Sequence, residues 1–298
     1  VRRPGRAFDP AAPDATPEHI LRGAVVDALG WWPCAPEPWE GPLCRALRGA
    51  LPLARPHAFA GGMGTLAAAV AQPLDLVTDC EVLRVESDSE GAYLAYRRGA
   101  GAYAAERRER ADAVVVAAPA TRVARLCPKL TPEERGFFEG VRSEAGVVVH
   151  LMFERAPEPT SRSVLLGRES GLEVSALHAE HARAGAAPLG AGLLRAQLAP
   201  RAAARMFRAS DASIADLVVE NLAYSPVGPR TPDDYAVWRH ADLAPRFDAE
   251  HARRLTRFLR RLERSPRLAF AGDFLAGTSA DGAVASGLAA AREIARAV

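Results

Sequence analysis

Asp273 and the small residues behind it have types and spacing suited to ligand chemistry. In LAFAGDFLAGTSADGAVASGLAAAREIARAV an apolar run ends at Gly272-Asp273, small residues follow through Gly277, Thr278, Ser279 and Ala280, and a helix opens at Gly282-Ala283-Val284. A carboxylate at the C-terminal end of a strand accepts hydrogen bonds from sugar hydroxyls, and ligands of open α/β sheets lie at that edge. A helix start offers unpaired N–H groups and partial positive charge to an anionic or electron-rich group. Small side chains leave room for a flat ring or a phosphate chain. Taken by itself, the stretch reads equally well as a strand-to-helix connection with an Ala-rich helix packed tightly on a sheet.

Other candidate groups point less far. His178 and His181 would share one helical face, but no third ligand accompanies them, so a solvated pair is favoured over a metal site. Ser286-Gly287 lacks the strand-to-elbow context of a hydrolase nucleophile. Trp238 could line a cavity, with a core position the favoured reading, and Lys129, the one lysine, sits in a loop and receives no role. Cys34, Cys44, Cys80 and Cys127 form no C-x-x-C pair, which argues against a zinc ribbon, a redox motif or a disulfide scaffold and suits a reducing cytoplasm.

Composition sets the bounds. The 298 residues are 49% hydrophobic, as in an ordinary folded chain, and the net charge of +2 gives no field to support nucleic-acid binding. No run of eighteen apolar residues suggests a membrane span, and the arginine- and proline-rich opening lacks the apolar core of a signal peptide. A soluble protein is therefore expected, and a first residue of Val is compatible with an alternative start or a longer parent chain.

The elements that position these groups follow from pattern. Thr16-Pro17-Glu18 caps a helix that runs to Gly30, and a loop with three tryptophans follows. A Gly-rich turn at 61–64 leads into a short helix ending before Pro73. DCEVLRVES, AYLAYRR and AYAAERRER, separated by turn residues, predict an antiparallel meander. ADAVVVAAPA predicts a parallel strand buried on both faces, with a helix after its proline. Thr131 and Glu134 form a capping box, GVVVHLMF and GLLRAQLA predict strands, and 210–224 predicts a helix. In DAEHARRLTRFLRRLE, Leu255, Phe258, Leu259 and Leu262 point inward, and the arginines of 252–264 form a solvated face open to acidic lipid or a partner.

Three stretches together resemble the FAD-dependent amine oxidase and protoporphyrinogen oxidase superfamily. They are Gly61-Gly62-Met63-Gly64-Thr65-Leu66, then Val82 in CEVLRVE with the meander and Asp112 to Pro119 behind it, and finally Ala271-Gly272-Asp273, Gly282-Ala283-Val284, Ser286-Gly287 and Ala290-Ala291. Order and approximate spacing agree, and the resemblance is strongest over 58–126 and 234–298.

The resemblance implies an α/β fold: a partial FAD-binding Rossmann-like domain, with parallel sheet and β-meander, and an interleaved α+β substrate domain. The expected division is 1–57 as an N-terminal helical part, 58–126 and 265–298 as the FAD-binding domain, and 127–264 as the substrate domain. The cofactor-binding residues it implies are Gly61, Gly62, Val82, Gly272, Asp273, Ser279, Ala280, Gly282, Ala283 and Val284. Val82 would lie along the adenine, Asp273 would contact the ribityl or pyrophosphate region, and 279–284 would lie against the flavin. The implied activity moves a hydride from a C–N or C–C bond of a mostly apolar or amine substrate to FAD, with the catalytic side chains unassigned.

One departure is large. The G-x-G-x-x-G unit with which the family opens is not found, and GAGAYA at 99–104 sits between two β-like runs as a hairpin turn. The chain is therefore expected to be the C-terminal majority of a flavoprotein. The alternative is a non-catalytic binding subunit that docks with a partner chain carrying the missing fingerprint.

Overall fold

A computed structural model describes residues 64–99, 105–157, 163–166, 171–182, 186–225, 227–277 and 280–297. The predicted helix at 16–30 and the tryptophan loop lie outside them. The described residues belong to two compact units, one containing 77–144 and 244–297, the other 64–76 and 145–243.

In the first unit the predicted meander is present. Strands β1 (Cys80–Ser87), β2 (Ala92–Arg98) and β3 (Glu106–Ala111) pair antiparallel in sequence order. Asp88 sets the first turn, its carboxylate accepting from the amides of Glu90 and Gly91 at 2.8 and 3.0 Å. Strand β4 (Val114–Val116) then pairs in parallel with a strand far along the chain, Leu268–Phe270. That later strand is preceded by Arg267, whose φ of 52° lies in the left-handed region and whose guanidinium donates to the carbonyls of Ser89 (2.9 Å) and Asp112 (3.1 Å). One arginine thus joins the meander turn to the parallel pair.

The helices of this unit build its core. Helices α2 (Ala120–Leu126), α3 (Pro132–Gly140) and α6 (Ala249–Leu259) contribute Val123, Phe137, Phe138, Leu255 and Phe258 to a cluster that also takes in Val85, Val116 and Phe270. Phe137 stacks on Phe258 at 4.2 Å, and Phe138 meets Phe270 at 4.7 Å. The Thr131 capping box forms as predicted, with Thr131 Oγ1 accepting from the Glu134 amide at 3.3 Å and Glu134 Oε2 accepting from the Thr131 amide at 3.2 Å.

Glu134 does more than cap. It is wholly buried, and its carboxylate also accepts from Arg261 Nε at 3.1 Å, from the Ser265 amide at 3.2 Å and from Ser265 Oγ at 2.5 Å. Arg261 in turn donates to the Phe258 carbonyl and lies 3.8 Å over the Phe258 ring. This corrects two expectations. Helix α6 stops at Leu259, so the helical period does not reach Leu262, which is 97% exposed, and Arg261 turns inward instead of joining the solvated face. A third correction concerns β4: Val115 is 41% exposed and Val116 alone of its three valines is buried, while the final helix packs through Ala290 and Ile294 on Ala269 and Ala271.

The second unit holds the short helix α1 (Gly64–Ala71) and a five-stranded sheet. Strands β5 (Ser143–Phe153), β6 (Ser163–Leu165), β7 (Val174–Ala179), β8 (Gly192–Leu198) and β9 (Asp234–Pro245) lie in the order β6-β7-β8-β5-β9. One face packs on α4 (Pro200–Met206) and α5 (Asp211–Ala223) through Val147, Val149, Leu151, Leu194, Ile214 and Val218. No helix among the described residues is long and apolar enough to cross a membrane.

Removing one partner of a buried ion pair leaves the other uncompensated and costs ~3–5 kcal/mol. Glu134→Ala is therefore expected to lower the stability of the chain by about that amount in urea unfolding, whereas Leu262→Asp, at an exposed site, is expected to stay within about 0.5 kcal/mol of the parent.

Candidate functional site

The strand Leu268–Phe270, now β10, delivers the corner that the sequence singled out. The Ala271 amide still donates to the Val116 carbonyl at 3.1 Å, and the chain then turns at Gly272 into the single-turn helix α7 (Asp273–Ala276). Gly277 ends it at φ 109°, a conformation that favours glycine. Helix α8 (Ala280–Ala297) follows. Its Gly282 is buried, and a Cβ there would run into the carbonyl oxygens of Gly277 and Ala276. The glycine therefore allows α8 to pack closely on the end of α7.

Ser286 closes the corner from α8. Its buried hydroxyl accepts from the Gly272 amide at 3.0 Å and donates to the Ala283 carbonyl at 2.8 Å. The sequence showed why Ser286 is no nucleophile; the structure shows it as a clamp on the turn. Asp273 is held in the middle of the arrangement. Burial pushes its carboxyl above the ordinary aspartate range, and the backbone N–H groups at Asp273 and Phe274 only partly offset this. A half-buried carboxylate of this kind favours a ligand that brings hydroxyl donors. Beside it on α8, Ala283 is exposed, Val284 is 58% exposed and Leu288 is exposed one turn further on.

Chemically, this corner combines an acceptor short of donors, a helix start and a small apolar surface. These residues fit a flavin dinucleotide: Asp273 would hold hydroxyls, and the first turn of α8 would lie against a flat ring. Of the residues expected there, the structure brings together Gly272, Asp273, Ala280, Gly282, Ala283 and Val284. Gly61, Gly62 and Ser279 lie outside the described residues. Val82 is on β1, opposite Tyr96 and next to a β-bulge between Val82 and Arg84. Three residues on, Val85 shares the core of Phe270 and Phe274.

Three lesser candidates change. His178 lies on β7 and His181 on the 3-10 turn Glu180–Ala182, so they share no helical face. His181 Nδ1 accepts from the Leu193 amide, which leaves Nε2–H to donate to the Pro157 carbonyl at 3.2 Å. Trp238 is 57% exposed, because on β9 it faces away from Val237, which packs on the core. Lys129 is exposed and pairs with Glu86 at 3.1 Å.

A strand-end corner on a parallel pair, with an antiparallel meander in the same unit, belongs to an α/β fold. Residues 34–295 match the family model described as flavin containing amine oxidoreductase, and the chain belongs to that family. The family is flavin-containing, and FAD is the cofactor to which the match points. Three solved structures share the fold. One, from Exiguobacterium sp. 255-15 and provisionally named protoporphyrinogen oxidase, is 18% identical with a TM-score of 0.67, over 92% of this chain and 57% of its own. A putrescine oxidase triple mutant is 20% identical with a TM-score of 0.60, over 99% of this chain and 78% of its own. The cyclohexylamine oxidase of Brevibacterium oxydans IH-35A is 16% identical with a TM-score of 0.60, over 79% of this chain and 52% of its own. The chain thus spans little more than half the length of the first and third. A search of curated protein sequences found no match.

The raised Asp273 carboxyl has a sign that can be checked. Its folded pKa lies above the unfolded value of about 3.9, so the native state binds the proton more tightly. Stability from this group is present below about pH 3.9 and is lost as pH rises through the folded pKa. Asp273→Asn is therefore expected to gain stability over the parent between pH 3.5 and 7, measured as urea midpoints.

Proposed function

We propose that this chain forms the flavin-facing and substrate-facing part of an FAD-dependent oxidoreductase of the amine oxidase or protoporphyrinogen oxidase type. The observation that carries the reading is the corner itself, with the half-buried Asp273 carboxylate beside the exposed first turn of α8. When bound, FAD supplies the chemistry, accepting a hydride from a C–N or C–C bond of a mostly apolar or amine substrate and passing electrons to dioxygen or another acceptor. The residues of this chain bind and orient. Asp273 accepts hydrogen bonds from the sugar-like chain of the cofactor. The first turn of α8 would lie toward the ring edge that becomes electron-rich, where the partial positive charge of a helix start favours that charge. Ala283 and Val284 keep water from that edge. No acid or base of this chain is assigned.

A Gly-rich strand-turn-helix unit that holds the pyrophosphate belongs to the same proposal, whether joined to this polypeptide or carried by a partner. Val115 supports it: a parallel strand is ordinarily covered on both faces, and among the described residues β10 is the sole strand partner of β4.

FAD titration followed by visible absorbance tests the reading, with the chain as given and with such a unit fused to its start. Uptake of FAD is expected, tighter in the fusion. Loss of one charged hydrogen-bond acceptor is worth ~1.5–3 kcal/mol, so Asp273→Ala is expected to weaken FAD binding by about tenfold or more. A fusion that stays colourless at high FAD would overturn the proposal.

A further inference from the structure

His251 belongs to none of the short motifs that carry the family resemblance; it lies on α6, yet it reaches the corner. It is 3% exposed, enclosed by Phe137 and Phe247 at ring separations of 5.9 and 4.6 Å. Its Nε2 is 3.0 Å from the Phe274 carbonyl oxygen. A carbonyl only accepts, so the proton is on Nε2, and this tautomer makes Nδ1 an acceptor. Nδ1 is buried and has no hydrogen-bond partner among the described residues. Leaving a buried nitrogen unsatisfied costs ~1–3 kcal/mol. An apolar side chain would fill the same aromatic nest without that cost, so packing alone gives no reason for an imidazole.

The contact with Phe274 gives one. Phe274 follows Asp273 in α7, a single turn too short to hold itself by its own hydrogen bonds. Ser286 fixes the near side of that turn through the Gly272 amide, and His251 fixes the far side through the Phe274 carbonyl. His251 is itself fixed, because the Asp248 carboxylate caps α6 by accepting from the His251 amide at 2.8 Å.

We infer that His251 is a positioning residue, which acts through the Phe274 carbonyl to hold the α7 turn, and with it the Asp273 carboxylate, in the geometry that receives the cofactor. The holding of the turn stands on the contacts alone; its purpose rests on the flavin reading above.

The two parts are separable by experiment. Amide hydrogen exchange is read first on the parent, His251→Phe and His251→Gln, without cofactor. The Leu275 and Gly277 amides bond within the turn, to the Gly272 carbonyl (3.1 Å) and the Asp273 carbonyl (2.8 Å), whereas the Ala271 amide bonds across to β4. His251→Phe is expected to lose about tenfold or more of the protection at Leu275 and Gly277, with Ala271 unchanged. His251→Gln, which keeps an N–H donor, is expected to restore a large part of it. Unchanged turn protection, or a loss spread evenly over Ala271 and the rest of the unit, would overturn the inference, the latter by showing that His251 merely supports the fold.

FAD affinity is then measured in the fusion. His251→Phe is expected to weaken binding by about tenfold, and the effect is expected to disappear in an Asp273→Ala background, because both changes act on one group. A looser turn with unchanged FAD affinity, or effects that simply add, would overturn the positioning role. If the parent fusion binds no FAD, the proposed function fails, while the exchange result still decides whether His251 holds the turn.

Discussion

A carboxylate shut away from water organises the first of the two units. Glu134 sits at the first turn of α3, and its oxygens are shared by the Thr131 amide, the Arg261 guanidinium, and the amide and hydroxyl of Ser265. Arg261 is where α6 has ended, and Ser265 is where the chain turns toward β10. Burying a charged pair is costly unless its remaining hydrogen-bonding sites are filled, and here the ring of donors fills them. The consequence is geometrical. The end of α6 and the start of β10 are placed relative to α3, and β10 leads directly into Gly272 and Asp273.

From that anchor, restraint passes along the chain to the corner. Arg267 ties the start of β10 to the meander turn and to Asp112, parallel pairing aligns β10 with β4, and the aromatic cluster of Phe137, Phe138, Phe258 and Phe270 fills the space beneath. Two side chains from different helices, Ser286 and His251, then grip the turn on either side of Asp273. A site built this way holds its carboxylate against the preference of that carboxylate for water, as functional sites commonly do.

Much of this was legible in the sequence because its signals are local. The meander has strand runs broken by turn residues, the capping box is a four-residue pattern, and the corner announces itself by an apolar run, Gly-Asp and small residues. The misreadings arise where a local pattern ends or where contacts are distant. Leu262 extends the apolar period of α6, but the helix stops three residues earlier. Arg261 looks like one more arginine on a charged face, and only Glu134, 127 positions away, brings it inside. Val115 reads as buried because three valines in a row suit a covered strand. His251 carries no sequence signal, since its partner is a backbone carbonyl, which every residue has.

The central claim is that the corner between β10 and α8 receives an isoalloxazine-bearing dinucleotide. A crystal structure of the chain, fused to a Gly-rich strand-turn-helix unit and grown with FAD, tests it most directly. The account predicts a hydroxyl of the cofactor within hydrogen-bonding distance of the Asp273 carboxylate and the ring lying along Ala283 and Val284. Cofactor bound elsewhere, with Asp273 facing only protein, would contradict it.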